Sequence, residues 1–204
     1  MIFPVDKSAF WDQLYMTGST GWDLKSANPV FAELLEDENF IKPGKLLITG
    51  CGKGYDAVAA AKSGFEVIAV DFSHAALEYA RDLAESESVR IKFLEEDIFT
   101  LGNELLESFD AVYEYTTYCA ISPARRKEFA QKISSLIKPG GKLLALIFPV
   151  DEREGGPPYR IDLLEYYRNF SEYLQLEFSS KSINSIKPRK DKEVLQIYIK
   201  PSQE

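Results

Sequence analysis

Runs of apolar residues alternate with helix-spaced patterns through most of this chain. Residues 45–49 (KLLIT) predict a short buried strand, and a glycine-rich turn follows at once. Residues 55–63 (YDAVAAAKS) are alanine-rich with helical spacing and stop at Gly64, a residue suited to the left-handed turn that ends many helices. Residues 66–71 (EVIAVD) predict a second strand. Ser73 can cap the next helix, in which Ala76, Leu77, Ala80 and Leu83 share one face. Residues 91–94 and 109–113 predict the third and fourth strands. A helix after Pro123 groups Phe129, Ile133 and Leu136, and Pro139-Gly140-Gly141 turns the chain into a fifth strand over 142–148. Strands apolar throughout and separated by helices belong to a parallel sheet covered by helices on both faces.

The last third reads differently. Residues 161–170 predict a helix, and residues 174–180 and 194–199 predict two strands with no helix between them. That pair is expected to form an antiparallel hairpin closing one edge of the sheet, with the charged run 187–193 as its solvated loop. Residues 1 to about 40 precede the first strand and hold both tryptophans, Trp11 and Trp22, which predicts a helical cover over one end of the sheet. The expectation is a single α/β domain over residues 1–204.

Composition narrows the function. With 24 basic and 32 acidic residues the net charge is −8, which argues against a nucleic-acid binder needing a basic face. No apolar run approaches the roughly 20 residues of a membrane span, and the first residues lack the apolar core of a signal peptide. Two cysteines, Cys51 and Cys119, are too few for a disulfide framework and fit a reducing cytoplasm. One histidine, His74, leaves no basis for a His-rich metal site or a Ser-His-Asp triad, so no metal is expected. It opens a helix directly after Ser73 and is expected at the rim of a site rather than in catalysis.

The strongest chemical signal is the loop Gly50-Cys51-Gly52-Lys53-Gly54 between the first strand and its helix. Glycines there allow a tight turn and a close approach by a ligand. Asp71 ends the second strand 21 residues after Gly50, near the spacing of an acid that accepts hydrogen bonds from a ribose. Glu96-Asp97 is read at the end of the third strand, where a carboxylate can meet an adenine amino group. The spacing G-x-G-x-G differs from the G-x-G-x-x-G of pyrophosphate binders, and no Walker sequence occurs. No tyrosine has lysine four residues on, which removes the Tyr-x-x-x-Lys pair of short-chain dehydrogenases.

Together these features resemble the class I S-adenosylmethionine (SAM)-dependent methyltransferases over roughly residues 7–200. The resemblance implies a Rossmann-like seven-stranded sheet, mostly parallel with a reversed C-terminal hairpin. It also implies a SAM site at Gly50, Cys51, Gly52, Gly54, Asp71, Phe72, Asp97 and Ile98. Thr49 departs from the acid that many such enzymes carry at the end of the first strand. Phe10-Trp11-Asp12-Gln13-Leu14-Tyr15 with Gly21-Trp22-Asp23 is similar to the thiopurine methyltransferase superfamily. Residues 110–123, together with Phe148-Pro149 and Gly155-Gly156-Pro157-Pro158-Tyr159, resemble its halide/thiol methyltransferase branch. Departures from that branch are Tyr15 for tryptophan, Glu114 for aspartate and Lys53 at a usually small position.

The resemblance implies that Trp11, Tyr15 and Trp22 cover the cofactor, that Tyr115 lies beside its methionine part, and that Tyr159 orients the nucleophile through its hydroxyl. Tyr115 and Tyr159 are the catalytic candidates. Methyl transfer is an in-line displacement whose thioether leaving group needs no proton, so alignment and desolvation suffice when the acceptor is already an anion. Aromatic walls exclude water and attract a sulfonium cation. The expected acceptor is a small soft nucleophile: a halide, thiocyanate, hydrosulfide or a thiol. Thiopurine-type methylation of an aromatic thiol, methylation of a selenium or tellurium compound, and a non-catalytic SAM-binding regulator are the alternatives. A monomer without nucleic-acid or membrane partners is expected.

Overall fold

The computed structural model describes residues 4–202. In chain order the elements are α1 (Ser8–Met16), α2 (Pro29–Glu36), β1 (Lys45–Thr49), α3 (Tyr55–Lys62), β2 (Glu66–Asp71), α4 (His74–Ser86) and β3 (Lys92–Glu95). There follow β4 (Phe109–Tyr115), α5 (Arg126–Leu136), β5 (Ile137–Ile147), α6 (Leu163–Ser171), β6 (Gln175–Ser180) and β7 (Val194–Ile199). The seven strands form one sheet in the order β3-β2-β1-β4-β5-β7-β6. This is the Rossmann-like seven-stranded α/β sheet that the methyltransferase resemblance implies, and the alternation of patterns predicts its strands and helices. By contact density the chain divides into two compact units, Met1–Ile98 and Phe99–Glu204.

In the first unit β1 pairs parallel with β2, and β2 with β3. Leu46, Leu47 and Ile48 of β1 and Val67, Ile68, Ala69 and Val70 of β2 are all buried, as expected of strands enclosed on both faces. The covering helices begin where their capping residues dictate. Ser73 Oγ accepts the amide of Ala76 at the start of α4, and Asn28 Oδ1 accepts that of Val30 at the start of α2, where Pro29 takes the first helical position. Ahead of β1 the chain is helical, as predicted, in two pieces, α1 and α2, joined by an irregular segment. The third strand lies one residue later than the pattern places it, so Asp97 falls two residues beyond its end.

In the second unit β4 pairs parallel with β5, and β5 runs antiparallel to β7, which runs antiparallel to β6. The reversal therefore resides in β7 alone, while the outer strand β6 points the same way as β5. Its residues alternate between exposed and half-buried, the pattern of an edge strand with one solvated face. The fourth strand is two residues longer than predicted. The fifth differs more, since Pro139-Gly140-Gly141 does not precede β5 but lies within it. Phe109 pairs with Ile137 and Ala111 with Lys142, so the extra residues bulge out while the ladder continues on either side. No helix among the described residues is long and apolar enough to cross a membrane.

Candidate active site

In the first unit, β1 delivers the chain directly into the loop 50–54. Gly52 has a φ of +53°, and a Cβ built on it would lie 2.8 Å from the hydroxyl oxygen of Tyr15. Both the backbone conformation and the space demand glycine there. Gly54 begins α3 in the left-handed region, and a Cβ on it would lie 2.9 Å from that of Ala80 in α4. The loop is tied to the end of β2 by two bonds: the Cys51 amide donates to the Val70 carbonyl, and the Gly52 amide to Asp71 Oδ2 at 2.9 Å.

Asp71 is the hub of this arrangement. Its Oδ1 accepts the Ser73 amide at 2.9 Å, so one carboxylate secures both the glycine loop and the start of α4. Burial pushes Asp71 up to about 6, against the lowering effect of the Ser73 and Gly52 amides, with the nearby Asp12 carboxylate adding to the rise. Asp12 itself accepts the Ser73 hydroxyl at 2.7 Å and the Ala75 amide at 3.1 Å, attaching α1 to the first turn of α4. Tyr15 is buried against Ala75 and Ala76, with Trp11 and Trp22 packed on the same cluster. The rings meet edge to face, Trp11 on Trp22 at 5.4 Å and Tyr15 on Trp22 at 5.7 Å, and Trp22 Nε1 donates to the Tyr15 hydroxyl at 3.3 Å.

The structure thus brings Trp11, Tyr15, Trp22, Gly52 and Asp71 into one contiguous group beside Gly50, Cys51 and Gly54. Phe72 and Asp97 are half-buried and Ile98 is buried. The Glu96 amide donates to the Asp71 carbonyl at 3.2 Å, which holds the segment entering Asp97 next to the end of β2. Lys53 departs from the loop to pair with Asp23 at 2.7 Å, its ammonium 4.8 Å from the centre of the Tyr79 ring. His74 is exposed, with Nδ1 3.0 Å from Glu95 Oε2.

In the second unit, Tyr115 ends β4 and is buried. Its hydroxyl donates to Glu193 Oε1 at 2.6 Å and accepts from the Arg189 guanidinium. Arg189 also lies over the rings of Tyr115 and Phe148, at 5.0 and 4.7 Å. The other oxygen of Glu193 accepts the Ser185 hydroxyl. Arg189 and Glu193 are 5% and 2% exposed, which corrects the reading of 187–193 as a solvated loop at those two positions, while Lys187, Pro188, Lys190, Asp191 and Lys192 are exposed as expected. Charge alone suggested solvent, whereas these two residues, four apart, turn inward and satisfy one another around a tyrosine. Burial and the neighbouring Glu193 push the Tyr115 phenol well above its ordinary range, against the opposing pull of Arg189.

Tyr159 is half-buried, and its amide donates to the Cys119 carbonyl at 2.7 Å. Its ring packs against Gly156, where an added Cβ would lie 2.5 Å from ring carbon Cδ1. Tyr115 and Tyr159 are therefore linked through the turn 116–119. Cys119 is buried, and burial pushes its thiol well up; Cys51 is pushed up for the same reason.

A model of the family described as Thiopurine S-methyltransferase (TPMT) matches residues 6–199. The chain belongs to the thiopurine S-methyltransferase family. It is 37% identical over 203 residues to an Arabidopsis thaliana protein named probable thiol methyltransferase 2, covering 97% of this chain and 87% of that one. It is also 36% identical over 159 residues to thiocyanate methyltransferase 1 of Brassica oleracea, covering 76% and 69%. Among solved structures, Burkholderia thailandensis 1,6-didemethyltoxoflavin-N1-methyltransferase, with 1,6-didemethyltoxoflavin and S-adenosylhomocysteine bound, matches with a TM-score of 0.75. That likeness covers 96% of this chain and 87% of the other at 18% identity, and concerns the fold.

As a member of the thiopurine S-methyltransferase family the chain is a SAM-dependent methyltransferase. The residues present fit that donor. The loop is one that a side chain at 52 would obstruct, and a half-buried carboxylate stands at the tip of β2. Bound SAM supplies a methyl group on a sulfonium. Asp12, the Lys53–Asp23 pair and the Arg189–Glu193 pair were not among the sequence-predicted site residues. The first lay within a quoted motif without a role, and the i, i+4 spacing of Arg189 and Glu193 was the available signal for the last.

Proposed function

We propose that this enzyme methylates a small soft nucleophile, a halide, thiocyanate, hydrosulfide or thiol, releasing the methylated product and S-adenosylhomocysteine. The observation that carries this reading is the similarity, over nearly the whole chain, to proteins named for thiol and thiocyanate methylation. Residues Gly50, Cys51, Gly52, Gly54, Asp71, Phe72, Asp97 and Ile98 hold the cofactor, Asp71 through the ribose, and Trp11, Tyr15 and Trp22 cover it. Tyr115 borders its methionine part with its ring, because its hydroxyl is engaged by Glu193 and Arg189. Tyr159 orients the acceptor through its hydroxyl.

The chemistry asks little of proton transfer. An anionic acceptor needs no base, and the chain's work is to align it and strip its water. Both native thiols are kept protonated by burial, so neither competes as a nucleophile. The family match, unbroken over 6–199, supports reading 1–204 as one methyltransferase domain. The acidic balance, pI about 4.9, supports a monomer without a nucleic-acid partner, and the free thiols of Cys51 and Cys119 support a reducing cytoplasm as its place of action.

The test is a turnover panel with SAM and iodide, bromide, thiocyanate, hydrosulfide and small and aromatic thiols, following S-adenosylhomocysteine release. Release with the small anions or thiols is expected. Release confined to aromatic thiols would assign the thiopurine-type reaction instead. Tyr159→Phe should lower turnover about tenfold, the worth of one lost hydrogen bond to a charged group, with SAM affinity within about twofold of the parent. An equal loss of both would place Tyr159 at the cofactor.

A further inference from the structure

Glu114 is a carboxylate only 1% exposed near the end of β4, with no role in the site as described so far. Burial pushes it up to about 7, against two backbone amides and a tyrosine hydroxyl that favour its charge. An apolar residue of similar shape would avoid that desolvation, so the carboxylate is retained at a cost.

Its contacts show what it does. Oε1 accepts the Thr117 amide at 3.0 Å and the Tyr118 amide at 2.8 Å, and Oε2 accepts the Tyr166 hydroxyl at 3.4 Å. These amides lie where the chain leaves β4 and turns at Thr116, whose φ is +65°. A non-glycine residue in that region is held there by its surroundings. The Cys119 thiol donates to the Thr116 carbonyl at 3.2 Å, and the Tyr118 hydroxyl accepts from Asn169 at 2.8 Å. The turn then presents the Cys119 carbonyl to the amide of Tyr159 at 2.7 Å. A line of hydrogen bonds and covalent structure therefore runs from the Glu114 carboxylate to the main chain of Tyr159.

We propose that Glu114 is a positioning residue for the acceptor: by fixing the turn 116–119 it sets where Tyr159 stands. The proposal rests on the reading of Tyr159 as the acceptor-orienting residue. A single carboxylate oxygen suits the task because it can accept from two consecutive amides at once, which no apolar side chain can do. Gln offers a carbonyl oxygen of the same reach, whereas Met matches the length without a strong acceptor.

The test compares Glu114→Met and Glu114→Gln in the parent and in a Tyr159→Phe background, using the best acceptor of the panel. Glu114→Met should raise the acceptor KM about fivefold, with the Kd for SAM, measured by titration calorimetry, within twofold of the parent. Glu114→Gln should return KM to within twofold of the parent. In the Tyr159→Phe background Glu114→Met should add less than twofold. If Glu114→Met does not fold, Glu114→Ala carries the same comparison. An unchanged acceptor KM, equal shifts in acceptor KM and SAM Kd, or a full effect in the Tyr159→Phe background would overturn the proposal. Wild-type acceptor kinetics in Tyr159→Phe alone would remove the reading of Tyr159 and the proposal with it. A normal loss in Tyr159→Phe with none in Glu114→Met would remove only the proposal.

Discussion

The group around Asp71 and the group around Tyr115 solve the same problem, holding one side chain still, by different means. Around Asp71 most of the anchoring comes from backbone amides: Gly52 and Ser73 donate to its carboxylate, and Cys51 to the Val70 carbonyl. Around Tyr115 the anchoring comes from side chains, the guanidinium of Arg189 and the carboxylate of Glu193, more than seventy residues away in the chain. A carboxylate held by amides keeps lone pairs for a ligand's hydroxyls. A phenol held by a buried ion pair has its polar end occupied and contributes its ring. On the function proposed above, the first arrangement serves to bind and the second to shape.

If that contrast holds, the two groups respond to substitution in opposite currencies. The largest effect is expected at Arg189. Arg189→Met strands the buried Glu193 carboxylate and should cost about 3 kcal/mol of stability, read by chemical denaturation. A cost below about 1 kcal/mol would make this pair no stronger than an exposed one. Asp71→Ala should instead raise the Kd for SAM roughly 10- to 100-fold with a smaller change in saturated turnover, since charge-assisted hydrogen bonds to the cofactor are lost. Unchanged SAM binding would undo the ribose assignment.

Acidity offers a finer test. Because folding raises Asp71 from 3.8 to about 6, its contribution to stability is present below pH 3.8 and is lost as pH rises through 6. SAM binding, which favours the carboxylate, should follow the opposite course, strengthening up to about pH 6 and then levelling off. Below that point affinity should fall by up to about tenfold per pH unit. Titration calorimetry between pH 5 and 8 measures it, and a flat profile would mean that Asp71 is not a ligand. The smallest effect is expected for Lys53→Ala, about 1 kcal/mol and diminished by salt, because Lys53 is partly solvated although the Asp23 side chain it leaves is nearly buried.

The same contrast explains what could be read from the sequence. The strands and the Gly50-Cys51-Gly52-Lys53-Gly54 loop were legible because their physics is local: apolar runs, a cap at Ser73, and an acid one strand away from the glycines. Trp11, Tyr15 and Trp22 were singled out through resemblance, and the structure adds that the three pack together on the start of α4, with Tyr15 against Gly52 of the loop. Arg189 and Glu193 were misread because charge in a hairpin loop ordinarily means solvent, and only tertiary contact reveals the phenol between them. The placement of Pro139-Gly140-Gly141 was missed for a related reason, since a turn signal cannot distinguish a chain reversal from a bulge in a continuing ladder.

One contact constrains how such an enzyme can be re-engineered. The phenol oxygen of Tyr15 occupies the volume that a methyl on residue 52 would need. Helix α1 and the loop after β1 are consequently moulded to each other, although 37 residues separate them in sequence. A chimera that imports residues 8–23 from a homologue with a bulkier ring at position 15 would have to adjust residues 50–54 and the start of α4 as well, because Asp12 and Tyr15 fit α1 to both.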